Sequence, residues 1–385
     1  MELKSIIPIA ALTLTLGACN NIVKYDDDYT PAEYQANTGA PVITAVYDVA
    51  DTALTTPITE GSLGQMVRIV GRNLNNVQRI CFNTVEANLA DAYTYSTSAN
   101  VTIPSRLSLE HVNKIEYTTD MGTTAYDFVI PFPALTVEGL VNEFANAGNA
   151  VTVTGRNFDL YDFGTTSKVC IGNTELSVSD VTAASMQIHI PEGTADNSTV
   201  SLAWSDANGQ ALTADLPFRP TEHLLYPDLS SVSTSLSGAV SVTIEEDENI
   251  STGASALGHP HLHFTGTLDA WSWNTFDLSC NMIDAGDLTV LNDYVLKFEV
   301  LTAPSFPLTE SSPLQWCFNW GDSYTWNMGS LNTKGQWQTV SLPLASMATN
   351  GISATGTWQT LRIIFQPTSS YEADFRIGNI RIENK

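Results

Sequence analysis

Basic residues are scarce in this chain. Sixteen Lys and Arg stand against 41 Asp and Glu, a formal net charge of −25 over 385 residues. Phosphate backbones are held by clustered cations, so the balance argues against a nucleic-acid partner and equally against acidic polysaccharides. Neutral glycans meet such a surface without electrostatic cost. After the first 20 residues no apolar run is long enough to cross a bilayer as a helix. Cysteine is sparse as well: beyond Cys19 there are only Cys81, Cys170, Cys280 and Cys317, with no CxxC and no zinc spacing. They read as buried thiols acting as small hydrophobes, and a Cys280–Cys317 pairing stays open. Long helical periods are missing. Short alternating strands broken by Gly, Pro, Asn and Asp fill the chain, an all-β pattern. Tryptophan is absent from the first 203 residues and then concentrated: of eight, Trp204 stands alone and seven lie from Trp271 to Trp358.

The N-terminus has a short basic start at Lys4, an apolar stretch from Ile6 to Leu16, and Leu16-Gly17-Ala18-Cys19. That stretch is too short for a mature spanning helix. Small residues directly before a cysteine resemble a bacterial lipobox, which implies a signal peptide over 1–18 and acylation of Cys19. The expected location is the surface of the outer membrane, held by lipid rather than by a span. Residues 19–40, with Asp26-Asp27-Asp28, Pro31 and Gly39, show no apolar period and read as a tether.

A repeat organises the next part. Val67-Arg68-Ile69-Val70-Gly71-Arg72-Asn73-Leu74 matches Val151-Thr152-Val153-Thr154-Gly155-Arg156-Asn157-Phe158, an offset of 84 residues (151 minus 67). Arg79-Ile80-Cys81-Phe82-Asn83 then matches Lys168-Val169-Cys170-Ile171-Gly172-Asn173, so Cys81 and Cys170 occupy equivalent places in two units. The period suits a small β-sandwich of about 85–100 residues. An apolar strand followed by Gly-Arg-Asn and Leu or Phe resembles the immunoglobulin-like IPT/TIG domain. The resemblance implies structural roles for Gly71, Asn73, Gly155 and Asn157: a turn at the glycine, and a loop bond from the asparagine. The expected domains are sandwiches over 41–133 and 134–219, with a boundary at Pro217-Phe218-Arg219-Pro220. Residues 220–385 then form one larger jelly-roll-like sandwich.

The tryptophans of this last segment come at strand spacing: Trp271 and Trp273; Trp316 and Trp320 with Phe318 between; Tyr324 and Trp326. Alternate residues share a face, so each group offers a row of rings. A flat amphipathic ring suits the apolar face of a pyranose. Trp326 lies in a turn-rich stretch and reads as exposed, whereas Trp337 and Trp358 read as core. The order of lipobox, tether, tandem sandwiches and Trp-rich terminal sandwich resembles the cell-surface glycan-binding lipoproteins of Bacteroidetes. The segments around Gly266 to Trp273, Tyr324-Thr325-Trp326 and Gly335-Gln336-Trp337 are similar to their terminal domain. The resemblance implies a binding platform at Trp273, Tyr324 and Trp326, to which strand geometry adds Trp320, Trp271 and Trp316. It implies as partners a neutral polysaccharide, foremost a β-glucan (xyloglucan, mixed-linkage or β-1,3-glucan), a transporter of the starch-utilisation (SusC/SusD-like) kind and a surface glycanase. In this family an arginine often lies beside the aromatic pair, and Asn319 to Met328 contains none.

His259, His261 and His263 alternate, but Pro260 interrupts them and no acidic or Cys cluster completes a metal site. They read as a polar strand face by the sugar groove or a domain junction. Glu245-Glu246-Asp247-Glu248 reads as a solvated acidic loop. A jelly-roll glycosidase needs two carboxylates across the scissile bond. The Glu-x-Asp-x-x-Glu pattern fails here, because Ile250 stands where the second Glu belongs. The expectation is a non-catalytic binding protein without catalytic residues, metal or cofactor. The alternatives are a glycosidase and a purely structural or adhesive surface protein.

Overall fold

The computed structural model describes residues 35–105, 112–131, 133–206, 210–246, 254–281, 288, 290–352 and 357–385. Cys19, most of the expected tether, and Asp247 and Glu248 lie outside them. The fold is all-β and divides into two compact units, one ending at Pro131 and the other starting at Phe132.

The first unit carries β1 (Val42–Asp48), β2 (Met66–Arg72), β3 (Val77–Phe82), β4 (Val85–Glu86), β5 (Tyr93–Thr94), β6 (Ser98–Thr102), β7 (Lys114–Thr119) and β8 (Gly122–Asp127). They form two four-stranded sheets, ordered β1-β2-β6-β5 and β4-β3-β7-β8. The second unit opens with β9 (Thr136–Leu140), β10 (Ala150–Arg156), β11 (Lys168–Ile171), β12 (Thr174–Glu175), β13 (Val178–Ser179), β14 (Ser185–His189), β15 (Ser198–Ser205) and β16 (Ala211–Phe218). Their sheets, β13-β14-β10-β9 and β12-β11-β15-β16, repeat the first layout strand for strand.

The Gly-Arg-Asn motif has a common physical basis in both repeats. A Cβ at Gly71 would run into the Val42 carbonyl, and one at Gly155 into the Thr136 carbonyl. Glycine is therefore required where two backbones approach closely. Asn73 and Asn157 both adopt left-handed backbone. Their side-chain amides donate to Ala40 O (3.1 Å) and Ala134 O (2.8 Å). The asparagine thus ties down the chain entering each sandwich rather than bonding within its own loop.

The terminal sandwich follows with β17 (Ser233–Ser237), β18 (Ser241–Glu245), β19 (His261–Leu268), β20 (Asn274–Asn281), β21 (Tyr294–Thr302), β22 (Leu314–Phe318), β23 (Tyr324–Trp326), β24 (Gln338–Pro343), β25 (Trp358–Phe365) and β26 (Tyr371–Asn384). Two five-stranded antiparallel sheets, β17-β20-β25-β22-β23 and β18-β19-β26-β21-β24, face each other. Leu262, Phe264, Phe298, Trp316, Leu361, Ile363 and Phe375 fill the space between them. Period-two alternation sends every second residue of each strand into this core and its neighbours outward.

The outward faces of the two sheets differ in what covers them. On the β21/β26 side the preceding sandwich packs down through residues 141–146. Thr339 N donates to Val141 O (2.8 Å), and Phe144 joins Leu257, Leu301 and Trp337 in a small apolar cluster. Beside it lies a buried ionic cluster. Arg381 pairs with Glu143, Glu299 (2.8 Å) and Glu383 (2.7 Å), while Lys297 pairs with Glu143 (2.7 Å) and Glu383 (2.9 Å). Loss of water pushes the Glu299 carboxyl up to about 7 despite Arg381. Three carboxylates against two cations leave one negative charge in excess, which is consistent with that direction.

Candidate functional site

On the opposite sheet, exposed indoles stand around an outward face whose own strand residues are largely buried, among them Thr275, Asp277, Cys317, Thr360 and Ile364. In β25 the residues Leu361, Ile363 and Phe365 point into the core. Alternation therefore sends Trp358, Thr360, Arg362 and Ile364 outward. The register sets Arg362 beside Asp277 of β20 and Cys317 of β22, and Trp358 beside Asn281. Arg362 Nε and Nη2 donate to the two Asp277 carboxylate oxygens at 2.7 and 2.8 Å, a bidentate pair that fixes the guanidinium flat on the sheet. Trp320 lies over that guanidinium, its ring centroid 5.5 Å from Arg362 Cζ.

Four tryptophans of this domain are exposed: Trp271 (66%), Trp320 (61%), Trp358 (59%) and Trp273 (53%). Trp358 opens β25 at the Asn281 end of the face. Trp273 precedes Asn274, whose partner Phe365 closes β25 at the other end. Eight strand residues separate the two ends, about 23 Å at the usual rise. Trp320 stands between, over Arg362.

The backbone holds two of these rings at a cost. Trp320 (φ 55°) and Trp271 (φ 62°) both sit in the left-handed region, which disfavours bulky side chains by about 1–3 kcal/mol each. The neighbours enforce the conformation. Asn319, itself left-handed, donates through its amide to Gly351 O (2.9 Å) and Gln359 Oε1 (2.7 Å) and accepts from Thr360 N (3.0 Å). A Cβ at Gly321 would meet Thr349 Oγ1 and the Asn350 backbone, so the chain leaving Trp320 can only pass as glycine. Trp271 N is tied to Pro367 O at 2.7 Å. Strain maintained to expose an indole is unexpected for a ring that serves only packing.

Of the six aromatic positions expected from the sequence, Trp271, Trp273 and Trp320 are exposed, and Trp320 lies over Arg362 on this face. The other three turn inward. Trp316 is fully buried and stacks on Phe298 at 4.6 Å. Trp326 is 9% exposed and meets the same ring edge-on at 5.5 Å. Register explains both. Leu314 pairs with Trp326 and Trp316 with Tyr324, so these side chains share the inward face, where Tyr324 is half-buried against the core. The expectation of an exposed Trp326 is corrected accordingly, and so is that of a core Trp358. Trp337 is buried as expected, against His261. Asn319 to Met328 contains no arginine, and Arg362 of the neighbouring strand β25 lies under the Trp320 ring. Sequence reasoning passed over Trp358, Arg362 and Asp277, although the apolar alternation Leu361, Ile363, Phe365 already signalled that Trp358 and Arg362 share the other face.

His261 and His263 lie on β19 of the other sheet, and His259 precedes it. His263 sits between two carboxylates, Nδ1 2.7 Å from Glu245 and Nε2 2.8 Å from Asp374, with Arg376 also on Glu245 at 2.9 Å. Glu245 therefore belongs to a structural ion network and not to a solvated loop. His261 lies at the junction with the preceding sandwich.

Comparison with known proteins bears on this site. Residues 236–384 match the family model described as the surface glycan-binding protein B xyloglucan binding domain, and residues 137–219 match that of the IPT/TIG domain. An IPT/TIG domain-containing protein of Bacteroides ovatus is 29% identical over 106 residues, which are 26% of this chain and 22% of that protein. The match thus spans under a quarter of the curated relative. Among solved structures, a surface glycan-binding protein B of Prevotella bryantii shares the fold with a TM-score of 0.57 at 19% identity, over 90% of this chain and 99% of that one. One from a complex xyloglucan utilization locus of Bacteroides uniformis gives 0.47 at 19% identity, over 90% and 100%.

Proposed function

We propose that this chain, with a terminal domain of the surface glycan-binding protein B kind carried on IPT/TIG-type sandwiches, captures a neutral polysaccharide and does not cleave it. The leading ligand is a β-glucan, in keeping with what the matching family model is described as binding. The observation that carries the reading is the exposure of four indoles in the terminal sandwich, with Trp320 over Arg362 and Trp358 at the start of β25. A flat sheet lined with rings suits the flat faces of successive pyranoses. The clamped Arg362 keeps Nη1 for a ring hydroxyl. Each stack contributes about 1–2 kcal/mol, so two or three give affinities in the micromolar to millimolar range. Binding of that strength releases the chain readily to a surface glycanase or a transporter, and several contacts along one polymer raise retention.

In this reading a lipid on Cys19 holds the protein at the outer membrane, and the two small sandwiches act as spacers. Native-gel retardation of the purified chain in a panel of polysaccharides tests the binding. Retardation by neutral β-glucans, none by polyuronates, and no release of reducing ends support the reading. Product release, or retardation by polyuronates alone, contradicts it. Replacing Cys19→Ala should move the protein from the membrane fraction to the soluble one, and unchanged membrane retention counts against the anchor.

A further inference from the structure

The second small sandwich and the terminal one belong to one compact unit, with the ionic cluster between them. A bulge in β26 builds that cluster. Ala373, Phe375 and Ile377 point into the terminal core, and so do Ile380 and Ile382. The phase changes because Asn379, in left-handed backbone (φ 47°), adds one residue against β21. One extra residue turns every later side chain to the other face. Arg381 and Glu383 therefore stand outward with Lys297 and Glu299 of β21, instead of inward with Ile377.

The cluster spans the junction. Both Glu143 oxygens, from the small sandwich, accept from cations of the terminal one: Oε1 from Lys297 (2.7 Å) and Oε2 from Arg381. Glu143 N donates to Thr339 Oγ1 (2.8 Å), and that hydroxyl donates in turn to Glu299 Oε1 (3.0 Å). Arg381 and Glu299 are fully buried and Glu143 nearly so. Three carboxylates face two cations, an excess of one negative charge away from water. Among the described residues, Arg219, paired with Asp196 at 2.6 Å, and His261, edge-on to Trp337, also stand at this junction. The apolar contact is small, Phe144 against Leu257, Leu301 and Trp337, so the charge balance weighs heavily on the docking.

We propose that the junction is a proton-operated latch: docked, the cluster holds one proton among its three carboxyls, and when alkaline solution removes it the uncompensated charge drives the second small sandwich off the terminal one. Burial raises Glu299 to about 7 in the docked state, and water reaching it on opening returns it toward its ordinary 4.5. The docked form thus binds the proton more tightly. Docking is strongest below about pH 4.5 and weakens as pH rises through about 7. The latch fixes the angle at which the terminal domain is carried, whatever its indoles bind, and frees that angle above neutral pH.

Hydrogen exchange of the full chain, corrected for the intrinsic effect of pH, tests the latch at amides that bond across the junction: Glu143 to Thr339 Oγ1, Asn146 to Ser255 Oγ and Thr339 to Val141 O. From pH 5 to pH 8 their protection should fall at least about tenfold, the effect of one pKa unit, while amides of β20 and β25 keep theirs. Glu299→Gln, which cannot ionise, should remove that slope and retain the pH 5 protection at pH 8. Glu143→Gln removes the excess charge from the other side and should flatten the slope as well, which covers a Glu299 variant that fails to fold. Protection independent of pH in the wild type would overturn the latch. So would a fall that the folded variants retain, since the titrating group would then lie elsewhere, as at His261. Equal loss in β20 and β25 would overturn it too, because the whole unit would then be opening.

Discussion

At the scale of single residues, the tryptophans separate by the direction of their strands. Trp316 and Trp326 fill the terminal core around Phe298, and Trp337 packs at the junction, whereas Trp320 and Trp271 are forced outward by left-handed backbone. The two classes behave differently when truncated. Trp326→Ala removes a ring from a closed core and should cost about 3–5 kcal/mol of stability, seen as a clear drop in thermal midpoint. An unchanged midpoint would return Trp326 to the surface. The sequence made the concentration of rings legible, and of the pair Trp271 and Trp273, of which at least one was expected at the surface, both are exposed. It misplaced Trp326 and Trp358 because spacing states which residues share a face but not which face is buried. That choice is made by pairing, here of Trp326 with Leu314, across residues with no local signal for it.

At the scale of elements, the two outward faces of the terminal sandwich differ in what packs on them. The loop bearing Glu143 and Phe144 docks on β21 and β26, and the ionic cluster buried beneath it joins residues up to 238 positions apart. Periodicity could not have found that cluster, since each member alone reads as an ordinary outward strand residue. The Gly-Arg-Asn repeat, by contrast, was fully local and announced the layout of both small sandwiches. The cluster also predicts a pH dependence. Burial lifts Glu299 from its ordinary 4.5 to about 7, so the folded state holds its proton where the unfolded chain has lost it. Its contribution to stability is complete below about pH 4.5 and lost as pH rises through about 7. Glu299→Gln should therefore flatten that part of the pH profile: the fall in thermal midpoint from pH 5 to pH 8 should shrink relative to wild type. A profile identical to wild type would mean that Glu299 is ionised throughout. Removing the cation is a harsher change. Arg381→Met strands Glu143 and Glu299 in the interior, at about 3–5 kcal/mol.

At the scale of the whole molecule, a strongly acidic all-β chain places its concentration of aromatic surface in its last domain. The charge disfavours polyanions, the small sandwiches repeat a structural motif, and the terminal sandwich sets the Trp320 ring over an Arg–Asp pair. Composition and repeat were readable from the sequence. The composition of the platform needed the sheet register, which brought Trp358, Arg362 and Asp277 together with Trp273 and Trp320. The central claim is that these outward indoles, and not the buried ones, hold the glycan. Calorimetric titration of the Trp273→Ala/Trp320→Ala double variant with a β-glucan oligosaccharide, alongside its thermal midpoint, tests that claim most directly. The account predicts at least a tenfold loss of affinity, about 1.4 kcal/mol or more, with an unchanged midpoint. Undiminished affinity in a folded double variant would contradict it.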